Sequence, residues 1–166
     1  LDEALEVYRA GAEDANGLEF LFYSANVLRT MKRVDEALAE YDRAIAAKPD
    51  YFFFRYHQSN YYRELGMHEQ AVRSMDILLS QEPKRYDYMF HKANSLRSLG
   101  RHQEALDAME LAIPIVPENP LFRYNKAQSL VLLGRYAQAV EVLQEVVAMS
   151  DDAEYAAELA RVKQLL

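Results

Sequence analysis

Four histidines, His57, His68, His91 and His102, are the side chains best suited to hold a metal or move a proton. They form two pairs, His57 with His91 and His68 with His102, and the gap along the chain is the same in both. If that interval reflects stacked helices, equivalent atoms stand roughly 10 Å apart, too far for two imidazoles to share one ion. The expectation is therefore satisfied or solvated histidines and no metal site. Cysteine is absent, which removes disulfides and thiolate ligands. No phosphate-binding glycine loop, no HExxH and no nucleophile elbow occurs. Glu, His and Ser recur, but at intervals that a structural repeat explains, so no enzymatic activity and no cofactor are expected.

The remaining chemistry is that of binding. In "YFFFRYHQSNYY", residues 51 to 62, seven of twelve positions are aromatic. Periodicity inside so short a window does not separate a buried helix from a binding face. The whole chain has 166 residues, 51% hydrophobic and 27% charged, enough for one domain with a sizeable core and too apolar for disorder. Nineteen basic against 26 acidic side chains give a net charge of −7, which disfavours nucleic acid and anionic membranes as partners. No apolar run reaches the roughly 18 residues of a membrane span. Nothing at the start reads as a signal peptide, yet the chain opens on Leu1 rather than methionine, so it is open to being part of a longer protein. The compartment stays undetermined, with the cytoplasm slightly favoured.

The elements that position these residues follow from internal repetition. "VDEALAEYDRAIAAKPDY" (34 to 51), "HEQAVRSMDILLSQEPKR" (68 to 85) and "HQEALDAMELAIPIVPEN" (102 to 119) align in register. Ala37, Ala71, Ala105 and Ala139 recur at the interval that separates the histidines, as do Tyr41, Met75, Met109, Leu143 and Ala44, Leu78, Ala112, Val146. Pro49, Pro83 and Pro117 close three units. Gly66, Gly100 and Gly134, with Lys32 in the first unit, stand between two helical patterns, where glycine ends a helix. This pattern resembles the tetratricopeptide repeat, a 34-residue helix-turn-helix unit with small residues where two helices cross closely. The resemblance covers nearly the whole chain. It implies an all-α fold, a right-handed superhelix of the α-solenoid kind, in which each unit passes apolar surface to its neighbours. The expected organisation is a single domain, 1–166. It comprises a half repeat (1–17), full repeats at 18–51, 52–85, 86–119 and 120–153, and a capping helix (154–166) with Tyr155, Leu159, Val162 and Leu166 on its apolar face.

Two departures from the family pattern stand out. Positions 4 and 7 of the first helix, usually large and apolar, are Leu21, Arg55, Met89, Arg123 and Ser24, Gln58, Lys92, Lys126. Position 3 is aromatic throughout (Phe20, Phe54, Tyr88, Phe122), and these rings are expected to supply the missing packing.

The repeat register sorts the aromatic run. Phe54, Tyr61 and Tyr62 are expected in the core, with Tyr51 and Phe52 at the turn. Phe53 and Tyr56 fall on the side that lines the concave groove in this family. Position 5 is Phe22, Tyr56, Phe90 and Tyr124; position 9 is Asn26, Asn60, Asn94 and Gln128; position 12 is Arg29, Arg63, Arg97 and then Val131. Residues three and four apart share a helix face, so each first helix presents a ring, an amide and, in three units, a guanidinium. Rings offer apolar area, amides grip a peptide backbone and arginines meet carboxylates. The expected function is a protein-interaction scaffold that holds an extended, partly acidic peptide or protein segment, with self-assembly into a homo-oligomer as the alternative. Some family members grip the carboxyl terminus of heat-shock chaperones through a lysine at position 5 of the first unit. Phe22 stands there, which argues against that ligand.

Overall fold

A computed structural model of the chain describes residues 1–12 and 17–166. These residues form ten α-helices and no strand. They are α1 (Asp2–Gly11), α2 (Leu18–Thr30), α3 (Val34–Ala47), α4 (Phe52–Glu64), α5 (His68–Gln81), α6 (Tyr86–Ser98), α7 (His102–Ala112), α8 (Pro120–Leu132), α9 (Tyr136–Met149) and α10 (Ala153–Lys163). The first helices α2, α4, α6 and α8 begin at 18, 52, 86 and 120, and the second helices α3, α5, α7 and α9 at 34, 68, 102 and 136. Both series keep the interval found in the sequence. Among the described residues, no helix is long and apolar enough to cross a membrane.

The turns explain the register. Gly66, Gly100 and Gly134 have φ of +73°, +76° and +71°, a left-handed conformation that costs glycine nothing. Each lets the amide of the next residue reach back into the last turn of the helix, as Arg101 does to the Leu96 carbonyl at 2.9 Å. Lys32 takes the same conformation, φ +59°, and the Arg33 amide donates to the Leu28 carbonyl at 2.9 Å, so the first unit makes the same turn at a steric cost. Helix α7 is shorter than α5 or α9 because Pro114 has no amide hydrogen with which to continue it.

The chain forms two compact units, Leu1–Tyr61 and Tyr62–Leu166. In the first, α2 packs on α1 and α3. Leu21, Ala44 and Phe54 are buried together there, with Phe22 partly buried against them. In the second, α5 to α10 pack in sequence order. Val72, Met89, Leu96, Met109 and Phe122 form one cluster, and Leu106, Leu130, Leu143, Val146 and Val162 form another. The three repeated apolar positions are fully buried in every copy, from Ala37, Tyr41 and Ala44 to Ala139, Leu143 and Val146. Alanine at the crossings lets the axes approach, and the larger residue fills the space beyond.

Phe54, Tyr88 and Phe122 at position 3 are buried as expected, but Phe20 is 37% exposed. Its ring lies across Gly11, where a β-carbon would stand 2.8 Å from it, and flanks Tyr8 and Tyr23 at 6.2 and 6.5 Å. Tyr61 is in the core while Tyr62 is only half-buried. Helix α10 ends at Lys163, and Leu166 is exposed rather than on the apolar face.

Candidate functional site

Position 7, which lacks the expected apolar residue, makes a polar link to the preceding second helix. Within the first unit Gln58 donates to Asp42 at 2.6 Å. Within the second, Lys92 pairs with Asp76 at 2.6 Å and Lys126 with Glu110 at 2.9 Å. Each acidic partner lies on the helix just before, so these side chains stitch one repeat to the next.

In the first unit the Phe22 ring is half-buried and meets Phe53 at 4.7 Å and His57 at 4.8 Å. The Asn26 amide donates to the Phe22 carbonyl at 3.0 Å and accepts from the Tyr41 hydroxyl at 3.4 Å. The Arg29 guanidinium lies 5.7 Å from the centroid of Tyr61, a cation over a ring face. Tyr56 and His57 meet edge-to-face at 5.6 Å, Asn60 is half-buried, and Phe53 is 39% exposed.

In the second unit Arg63 Nη1 lies 2.7 Å from His91 Nδ1. Arg97 donates to the Asn125 carbonyl at 3.1 Å and to Asn125 Oδ1 at 2.6 Å, and also to Asn94 Oδ1. Phe90 is half-buried against Phe122 at 5.5 Å. Tyr124 is buried: its ring packs on Tyr155 of α10 at 4.8 Å and its hydroxyl donates to Glu154 at 3.2 Å. Gln128 is half-buried and hydrogen-bonds the Tyr124 side chain.

These contacts share a register that periodicity within one repeat does not disclose. The position-12 arginine of one repeat engages position 6 of the next, in Arg63 with His91 and Arg97 with Asn125. The same register places Arg29 close enough to His57 to act on it electrostatically. The signal is present in the sequence as Arg29, Arg63 and Arg97 against His57, His91 and Asn125, and only pairing one repeat with the next brings it out. Burial, then the positive charge of Arg63, pushes His91 down to about 4; burial and then Arg29 lower His57 as well. Both imidazoles are thus neutral near pH 7, as an acceptor for arginine must be. His68 and His102 are half-buried, and the Nδ1 of each has no hydrogen-bond partner among the described residues. No group of three or more acidic or histidine side chains among the described residues could hold a metal ion.

A family model described as tetratricopeptide repeat matches residues 1–52, and one described as anaphase-promoting complex, cyclosome, subunit 3 matches residues 64–146. The chain belongs to the tetratricopeptide repeat family. Solved structures agree in fold. A tetratricopeptide repeat protein from Parabacteroides merdae superposes with a TM-score of 0.84 at 16% identity, over 99% of this chain and 66% of its own. MamA from Desulfovibrio magneticus gives 0.77 at 16% identity, over 89% and 84%. The thermophilic protein TTC0263 from Thermus thermophilus gives 0.65 at 19%, over 87% and 80%. Comparison with curated proteins gives no match. Tetratricopeptide repeat proteins are generally non-enzymatic interaction scaffolds.

Proposed function

We propose that this tetratricopeptide chain holds an extended, partly acidic segment of a partner protein, without catalysis, along the first helices of its repeats. The observation that carries this reading is the face of α2 and α4, where Phe53 is exposed and Phe22, Asn26, Arg29, Tyr56 and Asn60 are each half-buried and reach the surface. Exposed apolar surface of this kind usually marks an interaction site. In the second unit Arg63, Phe90, Asn94, Arg97 and Gln128 hold the equivalent positions, although Arg97 and Asn94 are engaged with each other and Arg97 with Asn125. Tyr124, beneath α10, supports this unit's face rather than contacting a ligand.

Amide contacts at about 0.5–1.5 kcal/mol each do not reach the roughly 8 kcal/mol of micromolar binding, so the rings are the anchors. The test is fluorescence anisotropy with a panel of short acidic peptides. Tyr56→Ala is expected to cost about 2 kcal/mol and Asn60→Ala about 1 kcal/mol. Arg63→Glu should weaken acidic peptides most at low salt. Unchanged affinity in the Tyr56→Ala, Asn60→Ala double variant would exclude this face.

Self-association is the second reading. It is favoured by Val7 and Leu111, each 65% exposed. Light scattering across concentrations tests it, and a constant monomer mass removes it.

A further inference from the structure

The first unit carries a contiguous aromatic shelf. Tyr51 lies 5.7 Å from Phe53 with ring planes 27° apart. Phe53 meets His57 at 4.3 Å and Phe22 at 4.7 Å, and Phe22 continues the contact to Tyr23 at 5.8 Å. Tyr23, Tyr51 and Phe53 are 42%, 41% and 39% exposed, so the shelf offers ring surface to a partner. A cation stands at its Tyr51 end. The Lys48 ammonium sits 4.8 Å from the centroid of Tyr51, and Arg29 acts on His57. A carboxylate on the ligand can pair with Lys48 at that end.

The hydrogen-bonding inventory narrows the occupant. Burial and Arg29 keep His57 neutral, so it retains a single N–H, and the Tyr23 and Tyr51 hydroxyls add two donors. The shelf itself is made of rings and contains no carboxylate. A ligand suited to this surface is flat, apolar and rich in carbonyl acceptors, and needs few acceptors in return. Proline-rich chain in the polyproline II conformation has these properties. Its pyrrolidine rings lie against aromatic faces, its proline nitrogens carry no hydrogen, and its carbonyls have no internal partners. It is also ordered before it binds, which lowers the entropic cost.

We propose that Tyr23, Phe22, Phe53, Tyr51 and His57 take a proline-rich extended segment flanked by carboxylates. This deepens the peptide-scaffold reading and rests on it. The experiment is isothermal titration calorimetry of the full chain with three synthetic peptides: a proline-rich core with glutamates at both ends, the same core with lysines, and a glutamate-flanked core with leucine replacing proline. The first is expected to bind, and each of the others about tenfold more weakly or worse. Phe53→Leu, which keeps apolar bulk but loses the flat ring, and Tyr51→Ala, at an exposed position, should each weaken the first peptide by about tenfold or more. The idea is overturned if the leucine peptide binds as tightly, if none of the three binds, or if neither substitution matters. A loss confined to the Tyr56→Ala, Asn60→Ala variant sinks the shelf but keeps the scaffold reading. A loss confined to Phe53→Leu and Tyr51→Ala keeps the shelf and limits the scaffold reading to it.

Discussion

Burial, with the Arg63 guanidinium alongside, makes the His91 ring resist protonation in the folded chain. His91 lies on α6 with Asp87 one turn before it, and Arg63 faces it from the end of α4. Its ordinary value of 6.5 falls to about 4 in the folded chain, with burial the largest cause, then Arg63, and Asp87 opposing both. Between those values the unfolded chain binds a proton that the folded chain refuses, so stability rises with pH across this window and is lost as pH falls from 6.5 towards 4. Lowering the pH from neutral to the middle of that window is therefore expected to lower the melting temperature, part of the loss being assignable to His91. The check is His91→Asn, which copies the acceptor that Asn125 already provides to Arg97. Its melting temperature should fall less steeply over the same range. An identical slope would remove His91 from the acid response.

Helix α10 closes the second unit. Asp152 caps it by accepting from the Glu154 amide at 2.9 Å, and Val162 is fully buried in the cluster with Leu143 and Val146. Tyr155 and Leu159 pack against the same cluster, and Tyr155 covers Tyr124. Removing residues 153–166 uncovers this apolar surface while leaving every earlier helix in place. Because a repeat is stabilised mainly by its neighbours, the truncated chain should melt at a lower temperature. Thermal denaturation followed by circular dichroism measures this, and coincident curves would show that α10 is no cap. The same truncation leaves Tyr124 without its Glu154 acceptor, so a tyrosine held above its usual range by burial and by that carboxylate should titrate earlier. Its ultraviolet difference spectrum at high pH reports the change.

The two units of the molecule, Leu1–Tyr61 and Tyr62–Leu166, meet in sequence inside α4. We propose that the chain nevertheless unfolds as one domain, since a helix that supplies residues to both units cannot melt for one alone. Calorimetry should give a single transition whose calorimetric and van't Hoff enthalpies agree. Two resolved transitions would show independent units. The position-7 links, Lys92 with Asp76 and Lys126 with Glu110, add little to the second unit because the acidic partners are half-exposed.

Local rules that recur once per repeat were legible without any coordinates. The helix starts, the turns at Gly66, Gly100 and Gly134, and the fully buried Ala37 and Tyr41 with their counterparts all follow from spacing. Each depends on backbone conformation or on side-chain size at a crossing, and both are written in residue type. Which polar and aromatic side chains remain available was settled instead by packing between helices. Arg97 and Asn94 read as binding groups until α8, the first helix of the next repeat, brought Asn125 close and engaged Arg97. Tyr124 read as a groove ring until α10 covered it, and Phe20 read as core until Gly11 let it lie across the surface. A hydrogen bond or ring contact between helices joins positions in different repeats and depends on the rotamers that packing permits. No periodicity within one repeat carries that information.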